Sequence, residues 1–318
     1  MSTQREPTRD GVLRAAAKVA SVLPPTPLLP LEVQGRTVWC KAESLQPVGA
    51  FKIRGAWHRL TDLTDAERAA GVVAFSSGNH ALGIAWSARR LGIAATIVMP
   101  HDAPAAKRAG TEALGATVVG YDRASESREA IAATLAADRG AVLVPSFDDP
   151  WVVEGQGSAG VEIAAQLSRQ PDRIVASCGG GGLSSGLALA CPDAEVVVVE
   201  PVGWDDVGRS LAAGRIEGVS EAPPSTVCDA LMTPRMASLT FDVLRARGAR
   251  GVSVTEAEVA RAMAVAFDRL RLVVEPGGAV ALAAVLAGKV EVGENTVLTL
   301  SGGNVDRATF TRLTGGVA

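Results

Sequence analysis

The sequence predicts an α/β fold with two lobes, in which parallel or mixed sheets are covered by helices. Short apolar runs typical of strands alternate with helix-period segments along most of the 318 residues. Residues 71–144 hold four such runs separated by helical segments, the pattern of a compact parallel βαβ lobe. The β-branched run at 195–199 is typical of a strand buried on both faces. We therefore expect the compact lobe to be inserted into a second, larger one.

The individual elements are predicted from these patterns in chain order. Strands are expected at 38–43, 71–75, 95–99, 117–119, 141–144, 173–177, 195–199 and 296–300. Helices are expected at 53–63, 80–91, 104–114, 126–138, 153–167, 255–270 and 275–286, with another that begins at Leu183. Between residues 200 and 254 the pattern is less regular, and residues 223–236 are expected to be loop and short helix.

Composition and charge argue against several classes of partner. The formal net charge is −3 and no run of like charges occurs, so neither a nucleic-acid surface nor a basic membrane patch is expected. The longest apolar region, 272–292, is interrupted by Glu275, Pro276 and a glycine pair, so it is not expected to span a membrane. Residues 1–10 are polar and do not resemble a signal peptide, which predicts a cytoplasmic protein. The widely spaced cysteines are expected to be buried, reduced thiols: Cys40, Cys178, Cys191 and Cys228.

Lys52 lies where a predicted loop enters a helix. A Pro/Gly turn precedes it, and Phe51 and Ile53 flank it. Apolar neighbours keep water away, and partial desolvation lowers the pKa of a lysine so that its neutral amine can act as a nucleophile or base. Taken alone, a surface lysine at a helix start remains the simpler interpretation.

The glycines Gly179, Gly180, Gly181 and Gly182 connect a predicted strand to a predicted helix. Backbone amides that converge at a helix N-terminus bind anions, so this loop suits a phosphate. It matches neither the GxGxxG pattern nor the Gly-Lys-Ser/Thr ending of a P-loop. Glu200, at the end of the next strand, imitates the ribose-binding acid of a dinucleotide fold, so a nicotinamide-dependent oxidoreductase remains an alternative here.

Two further polar loops follow predicted strands. Ser76, Ser77, Gly78, Asn79 and His80 open a helix, and their hydroxyls, amide and free backbone N–H groups suit a carboxylate or the polar edge of a cofactor ring. A helix cap is the competing interpretation. The segment 301–304, Ser-Gly-Gly-Asn, ends the last strand, and its hydroxyl could meet a ring nitrogen. In isolation it fits an ordinary turn.

Together, the four motifs resemble those of the fold-type-II pyridoxal-phosphate enzymes, most closely the serine/threonine dehydratase and serine racemase branch. Phe-Lys-x-Arg-Gly at 51–55, Ser-Ser-Gly-Asn-His at 76–80, the tetraglycine loop and Ser-Gly-Gly-Asn at 301–304 occur in the family's order. The resemblance extends from about Pro24 to Asp306. It implies a two-lobed fold like that of the tryptophan synthase β subunit, with a large cofactor-binding domain (1–65 and 147–318), a small domain (66–146) and a homodimeric state.

The resemblance also implies roles for individual residues. Lys52 would carry pyridoxal 5′-phosphate on its amine, with Phe51 beside it, and would act as the catalytic base. Asn79 would bond the ring oxygen of the cofactor, the glycines 179–182 its phosphate, and Ser301 its pyridine nitrogen. The substrate carboxylate would be held by Ser76, Ser77, Asn79 and His80.

The activity implied is β-elimination from a β-hydroxy amino acid such as L-serine, L-threonine or 3-hydroxyaspartate, giving a 2-oxo acid and ammonia. Arg128 matches an arginine that approaches the distal side of the pocket in relatives and would favour an acidic substrate, although a surface position is equally compatible. In racemase members the serine that matches Ser77 is a second catalytic acid, so an amino-acid racemase is the alternative. A non-enzymatic binding protein would need Lys52 to be exposed and unmodified.

Residues 200–206 resemble the divalent-cation loop of the family. The matches are Glu200, the carbonyl of Trp204 and Asp206, and such oxygen ligands suit Mg²⁺, Mn²⁺ or Ca²⁺. A solvated acidic turn is the competing interpretation.

Two positions depart from the family pattern: Ala50 stands where a serine or threonine is common, and Ala230 where a glycine is common. Both departures leave the substrate open. The short stretch after Asn304 predicts no regulatory domain and no feedback inhibition by isoleucine.

Overall fold

The computed structural model describes residues 5–103 and 105–315. The predicted start of a helix at Pro104 lies outside these residues. The strands are β1 (Leu28–Val33), β2 (Arg36–Ala42), β3 (Val72–Phe75), β4 (Ala95–Pro100), β5 (Thr117–Tyr121), β6 (Val142–Leu143), β7 (Arg173–Ser177), β8 (Glu195–Pro201), β9 (Arg250–Val254) and β10 (Thr296–Leu300).

The α-helices are α1 (Arg9–Ala20), α2 (Lys52–Thr61), α3 (Asp65–Ala70), α4 (Asn79–Leu91), α5 (Ala105–Ala113), α6 (Arg128–Arg139), α7 (Pro150–Leu167), α8 (Gly182–Ala190), α9 (Asp206–Ala213), α10 (Ser238–Ala246), α11 (Glu256–Val265), α12 (Pro276–Leu286) and α13 (Arg307–Thr314). Two 3₁₀ turns cover Glu43–Leu45 and Asp229–Leu231, and a π-helical turn covers Ala266–Leu270. No helix in the described part of the chain is both long and apolar enough to cross a bilayer.

Two sheets form the frame, which confirms the predicted α/β class. The smaller sheet has the order β5-β4-β3-β6 and is parallel throughout. The larger has the order β1-β2-β10-β7-β8-β9 and is parallel except for the antiparallel pair β1 and β2. Strand β10 lies in the middle of the larger sheet, where Val297 is in register with Trp39 on one side and Ile174 on the other. Parallel sheets need cover on both faces, which the helices provide.

The large-sheet core depends on helices that carry small residues. Every residue of α8 is buried, and so is α12 as far as Val285. At the crossing of α7 and α8 the backbones touch: a Cβ added to Gly186 would lie 2.4 Å from the backbone nitrogen of Gly157. Glycine on both helices therefore permits a contact that brings the glycine loop, which leads into α8, close to α7.

Several elements were not predicted from the sequence: β1, β9, α1, α3, α9, α10 and α13. Both missed strands are sheet edges. An edge strand buries only part of its surface, so its apolar pattern is weak, and β1 also contains Pro30, which an edge tolerates. The predicted helix 255–270 changes to a π-helical turn at Ala266, and Arg271 then adopts a positive φ of 60°.

Candidate active site

A cavity of about 740 Å³ lies where strands of both sheets end. Its walls come from segments that follow the carboxyl ends of β3, β6, β7 and β10, the place where α/β proteins bind ligands. The lining includes every residue predicted to bind cofactor or substrate: Phe51, Lys52, Ser76, Ser77, Asn79, His80, Arg128, Gly179, Gly180, Gly181, Gly182 and Ser301. Segments 250 residues apart in sequence thus meet in one space.

Lys52 is the first residue of α2 and reaches into this cavity. Its Nζ donates to the carbonyl oxygen of Ser146 at 2.7 Å and lies 5.2 Å from the centre of the Phe51 ring. Burial lowers the pKa of the Lys52 ammonium to about 8. A larger fraction of this amine is therefore neutral near pH 7 than for an ordinary lysine, which favours nucleophilic or basic chemistry.

Main-chain pairing joins the lysine segment to the loop after β10. Ala50 and Gly302 form an antiparallel bridge, Phe51 N donates to Ser301 O at 3.1 Å, and Gly303 N donates to Gly49 O at 2.8 Å. Gly49 has a positive φ of 73°, which lets the chain turn at this point. Ser301, 4% exposed, is thereby held on the same wall of the cavity as Lys52.

The glycine loop has the geometry of an anion cradle. Gly181 is the N-cap of α8 with a positive φ of 87°, and the first amides of a helix have no partner within the helix. A Cβ on Gly180 would lie 2.3 Å from the Phe147 ring. Thr240 Oγ1 donates to Gly180 O at 2.8 Å, and this hydrogen bond stabilises the loop. The convergent amides and the helix dipole suit a phosphate.

The loop after β3 places a second helix N-terminus in the cavity. Gly78 is the N-cap of α4, and its N–H donates to Ser76 Oγ at 3.2 Å. The His80 ring is buried, and its Nε2 donates to Val144 O at 2.9 Å. Burial lowers the pKa of His80 to about 3, and the nearby Lys52 charge acts in the same direction. The imidazole is therefore neutral, so a carboxylate bound here would depend on the helix amides and hydroxyls rather than on a histidine charge.

Charged side chains occupy the far wall. Arg128 lies over the Phe75 ring at 5.4 Å, and its Nε donates to Glu129 Oε1 at 2.8 Å. Lys107, from α5, pairs with Asp229 across the cavity at 2.5 Å. Of the two departures from the family pattern, Ala230 lines the cavity, whereas Ala50 is fully buried outside its lining.

The predicted metal ligands lie outside this cavity. Glu200 is fully buried, and its two oxygens accept from Val207 N and Gly208 N. Asp206 Oδ2 accepts from Met236 N at 3.0 Å, while its Oδ1 is buried without a hydrogen-bond partner. Among the described residues, no three His, Cys, Asp or Glu side chains are grouped as ligands of one ion.

Phe147 and Glu275 are among the cavity-wall residues that sequence reasoning did not single out. Phe147 packs against the glycine loop, and Glu275, 3% exposed, accepts a hydrogen bond from Asn79 Nδ2 at 2.6 Å. Burial raises the pKa of the Glu275 carboxyl to about 7. In the sequence Glu275 precedes Pro276, which indicates only a helix start, and Phe147 lies in a turn-rich stretch. Neither pattern carries a signal for a binding site.

Comparison with known proteins agrees with this geometry. The profile of the family described as "Pyridoxal-phosphate dependent enzyme" matches residues 19–302. The chain belongs to this family. A relative named L-threo-3-hydroxyaspartate ammonia-lyase, from Pseudomonas sp, is 42% identical over 304 residues, 93% of this chain and 94% of the relative. One named L-threonine ammonia-lyase, from Thermotoga maritima, is 39% identical over 280 residues, 86% of this chain and 69% of the relative.

A solved structure of maize serine racemase has the same fold as this chain. It superposes with a TM-score of 0.90 at 33% identity, and the match covers 97% of each chain. The two-lobed architecture of this pyridoxal-phosphate-dependent enzyme is therefore that of the fold-type-II group, as predicted. The cavity fits the cofactor: it offers an amine of lowered pKa, an anion cradle in which a side chain at Gly180 would collide with Phe147, and a serine on the wall shared with Lys52.

Proposed function

We propose that this chain is an ammonia-lyase that converts a β-hydroxy amino acid to a 2-oxo acid and ammonium, with L-threo-3-hydroxyaspartate as the first candidate. The observation that carries the proposal is the Lys52 amine, of lowered pKa, in a cavity with two helix N-termini. The 42% identity to a relative named for that reaction supports the lyase chemistry. The overall reaction is balanced without another reactant, because the water lost in elimination is regained in hydrolysis.

We assign the protein groups as follows. Bound pyridoxal phosphate supplies an electron sink that acidifies the Cα–H bond of the substrate. Lys52 carries the cofactor and, when its amine is free, takes the Cα proton. The N-terminus of α4, with Ser76 and Ser77, holds the α-carboxylate. The α8 amides would hold the phosphate, and Ser301 would contact the pyridine nitrogen.

Arg128 is our candidate for recognising the β-carboxylate of 3-hydroxyaspartate. A guanidinium offers five N–H donors, and the hydrogen bond from Arg128 Nε to Glu129 uses one of them. The remaining N–H groups can therefore bind a carboxylate while the guanidinium keeps its cation–π contact with the Phe75 ring.

The test is a 2-oxo-acid assay with purified, cofactor-loaded protein. The panel is L-threo-3-hydroxyaspartate, L-serine, L-threonine and their other stereoisomers. We expect turnover of at least one L-substrate, and we expect Lys52→Ala to lose both turnover and the visible absorbance of the bound cofactor. Lys18→Ala, on the surface, is the matched control. A Lys52→Ala protein that retained turnover and absorbance would refute the assignment, as would a wild-type protein inactive on the whole panel.

Racemisation is the second candidate, favoured by the position of Ser77 on the cavity wall. The same incubations with L-serine, followed by separation of the enantiomers, measure it directly. If wild type forms D-serine faster than it forms the 2-oxo acid, and Ser77→Ala loses only the D-serine, racemisation is the principal activity.

We further propose a divalent cation, Mg²⁺, Mn²⁺ or Ca²⁺, at the loop between β8 and α9. The proposal is supported by two buried carboxylates, Glu200 and Asp206, and by the unpartnered oxygen Asp206 Oδ1. Together with the carbonyl of Trp204 they form an all-oxygen donor set of the kind that hard cations prefer. The ion lies outside the cavity lining, so its contribution would be to structure.

Finally, we propose the domain limits 66–146 and 1–65 with 147–318. This division is supported by the sheets, because β3 to β6 lie within the first range and the larger sheet lies outside it. A homodimer is proposed on the resemblance alone. Analytical ultracentrifugation of the assayed protein measures its mass in solution.

A further inference from the structure

Asn79 is held between two polar side chains that the proposed chemistry does not use. Its Nδ2 donates to Glu275 Oε1 at 2.6 Å, and its Oδ1 accepts from Asn304 Nδ2 at 2.8 Å. Asn304 is itself anchored, because its Nδ2 also donates to Val48 O at 2.8 Å. The amide of Asn79 thus has an acceptor on its nitrogen side and a donor on its oxygen side.

This pairing gives the amide one orientation. If the Asn79 amide were flipped, its oxygen would face the Glu275 carboxyl and its nitrogen would face the Asn304 nitrogen. The contact with Asn304 would then lose its hydrogen bond, and so would the contact with Glu275 whenever that carboxyl is ionised; losing a hydrogen bond between buried or half-buried groups is costly. A primary amide has two N–H donors, and Glu275 takes one. In the retained orientation the other remains available to a ligand in the cavity.

The main chain brings Glu275 to this position. Glu275 is the N-cap of α12, its N–H donates to Gly302 O at 3.0 Å, and Ser301 N donates to Gly278 O at 3.3 Å. A Cβ on Gly302 would lie 2.1 Å from Glu275 Oε1. The carboxyl is therefore packed directly against the loop that carries Ser301, with no room for it to move in that direction.

The charge environment leaves the Glu275 carboxyl able to accept the Asn79 hydrogen bond at any pH near neutral. Burial raises the pKa of Glu275, Asp229 raises it further, and the Asn79 hydrogen bond and Lys107 lower it. In either protonation state Glu275 can accept from the Asn79 amide through Oε1. The carboxyl has its partner within the protein and needs no ligand for that bond.

We propose that Glu275 is a positioning residue that, with Asn304, orients the Asn79 amide so that it can donate a hydrogen bond to the ring oxygen of the bound cofactor. The inference rests on the cofactor-binding role proposed above for Asn79. It concerns cofactor binding alone, so it does not depend on which amino acid is the substrate.

The test compares Glu275→Gln and Asn304→Ala with wild type. A glutamine at 275 can present either oxygen or NH₂ to Asn79, and an alanine at 304 removes the donor to Asn79 Oδ1. We expect Asn304→Ala to raise the Kd for pyridoxal phosphate, measured by absorbance titration, about tenfold, the equivalent of one lost hydrogen bond of about 1.4 kcal/mol. Glu275→Gln should raise this Kd by a smaller factor, because the glutamine oxygen can still accept from Asn79 in one of its two amide orientations. We also expect the visible band of the bound cofactor to shift, because the donor to its ring oxygen is no longer fixed.

The matched control is Glu154→Gln. Glu154 is a fully buried carboxylate on α7 whose partners are Arg5, Thr8 and His58, outside the cavity. This variant is expected to lower the melting temperature of the cofactor-free protein and leave the band and the Kd unchanged. A purely structural role for Glu275 predicts the same behaviour for Glu275→Gln.

The outcomes separate the two proposals. A wild-type band and Kd in both Glu275→Gln and Asn304→Ala would overturn the positioning role. If Glu275→Gln does not fold, Asn304→Ala, at a half-buried position, decides the question alone. If wild type binds the cofactor but turns over none of the amino acids, the proposed function fails while the measurement on Glu275 stands.

Discussion

Arg128 shows how one residue can be partly exposed and also line the cavity. Its side chain is about one-third exposed, at 34%, and it lies at the start of α6, where the cavity opens. The sequence pattern left open whether Arg128 is a surface or a pocket residue. The structure places its guanidinium over Phe75 and next to Glu129, on the cavity wall.

The first prediction concerns substrate choice at this arginine. Arg128→Gln removes the charge but keeps a donor, and a hydrogen bond to a charged group contributes about 1.5–3 kcal/mol, so kcat/KM for L-threo-3-hydroxyaspartate should fall by roughly 10- to 100-fold. The value for L-serine, which has no β-carboxylate, should change less than about threefold. Arg123→Gln, an exposed arginine paired with Asp102, serves as the control. Equal losses of kcat/KM for the two substrates would show that Arg128 does not recognise the β-carboxylate.

His80 illustrates a role that residue type alone does not reveal. A histidine in a polar loop invites the interpretation of a charged carboxylate ligand. Burial, aided by the nearby Lys52 charge, instead keeps its ring neutral, and the hydrogen bond to the Val144 carbonyl holds the ring turned into the protein. In the proposed carboxylate site, His80 would therefore contribute only its backbone N–H, in the first turn of α4.

At the scale of single elements, the loop between β8 and α9 combines buried acids with a helix N-terminus. The two oxygens of Glu200 accept from the first turn of α9, and burial raises the pKa of this carboxyl well above its usual value. Burial likewise raises the pKa of Asp206 to about 6. Two acids held in this way have little protein charge to balance them, which is the situation that a bound cation relieves.

The prediction for this element is a stability gain on metal binding. After treatment with EDTA, saturating Mg²⁺ or Ca²⁺ should raise the melting temperature of wild type by several degrees, because an ion at about 100 times its Kd contributes about 2.7 kcal/mol. Asp206→Asn should lose this gain. Asp205→Asn, one residue away and paired with Arg209 on the surface, should keep it. A gain of the same size in Asp206→Asn, or none in wild type, would refute the cation site.

Elements differ in how well sequence reasoning finds them. Strands β4, β8 and β10 are almost wholly buried, so their continuous apolar runs predict them with little ambiguity. The edge strands β1 and β9 lack such runs because one side of each faces no other strand. The four loops of the site were found through their glycines and polar side chains. Glu275 and Phe147 were not, because what makes them part of the site is contact across the fold rather than local sequence.

At the scale of the whole molecule, a buried network of ion pairs connects α2, the helix that begins at Lys52, to the rest of the larger lobe. Arg54, on α2, is fully buried and pairs with Glu43 at 2.7 Å and Glu162 at 2.6 Å. Lys41, on β2 and also fully buried, pairs with Glu162 at 2.6 Å. The two cations and two carboxylates balance, so the network holds α2, β2 and α7 together without an excess charge.

The corresponding prediction is a large loss of stability when one partner is neutralised. Glu162→Gln leaves Arg54 and Lys41 with a single carboxylate between them, and breaking a buried pair costs about 3–5 kcal/mol. Urea unfolding of the cofactor-free protein measures this loss. Glu217→Gln removes a comparable partner from the surface arginines Arg209 and Arg215 and should cost less than about 1 kcal/mol. Similar losses for the two variants would mean that the network contributes no more than a surface pair.

The bridge between Ala50 and Gly302 has a consequence for the order of events during synthesis. Lys52, which we propose carries the cofactor, is made early, but its neighbours Ser301 and Gly302 follow β10, which fills the middle of the larger sheet. A ribosome-bound chain that lacks this strand has a gap between β2 and β7 and no wall behind Lys52. Such distant pairings form late in folding. The reactive amine is therefore assembled into a working site only when almost the whole chain has left the ribosome, and a prematurely terminated chain would be unable to hold its cofactor.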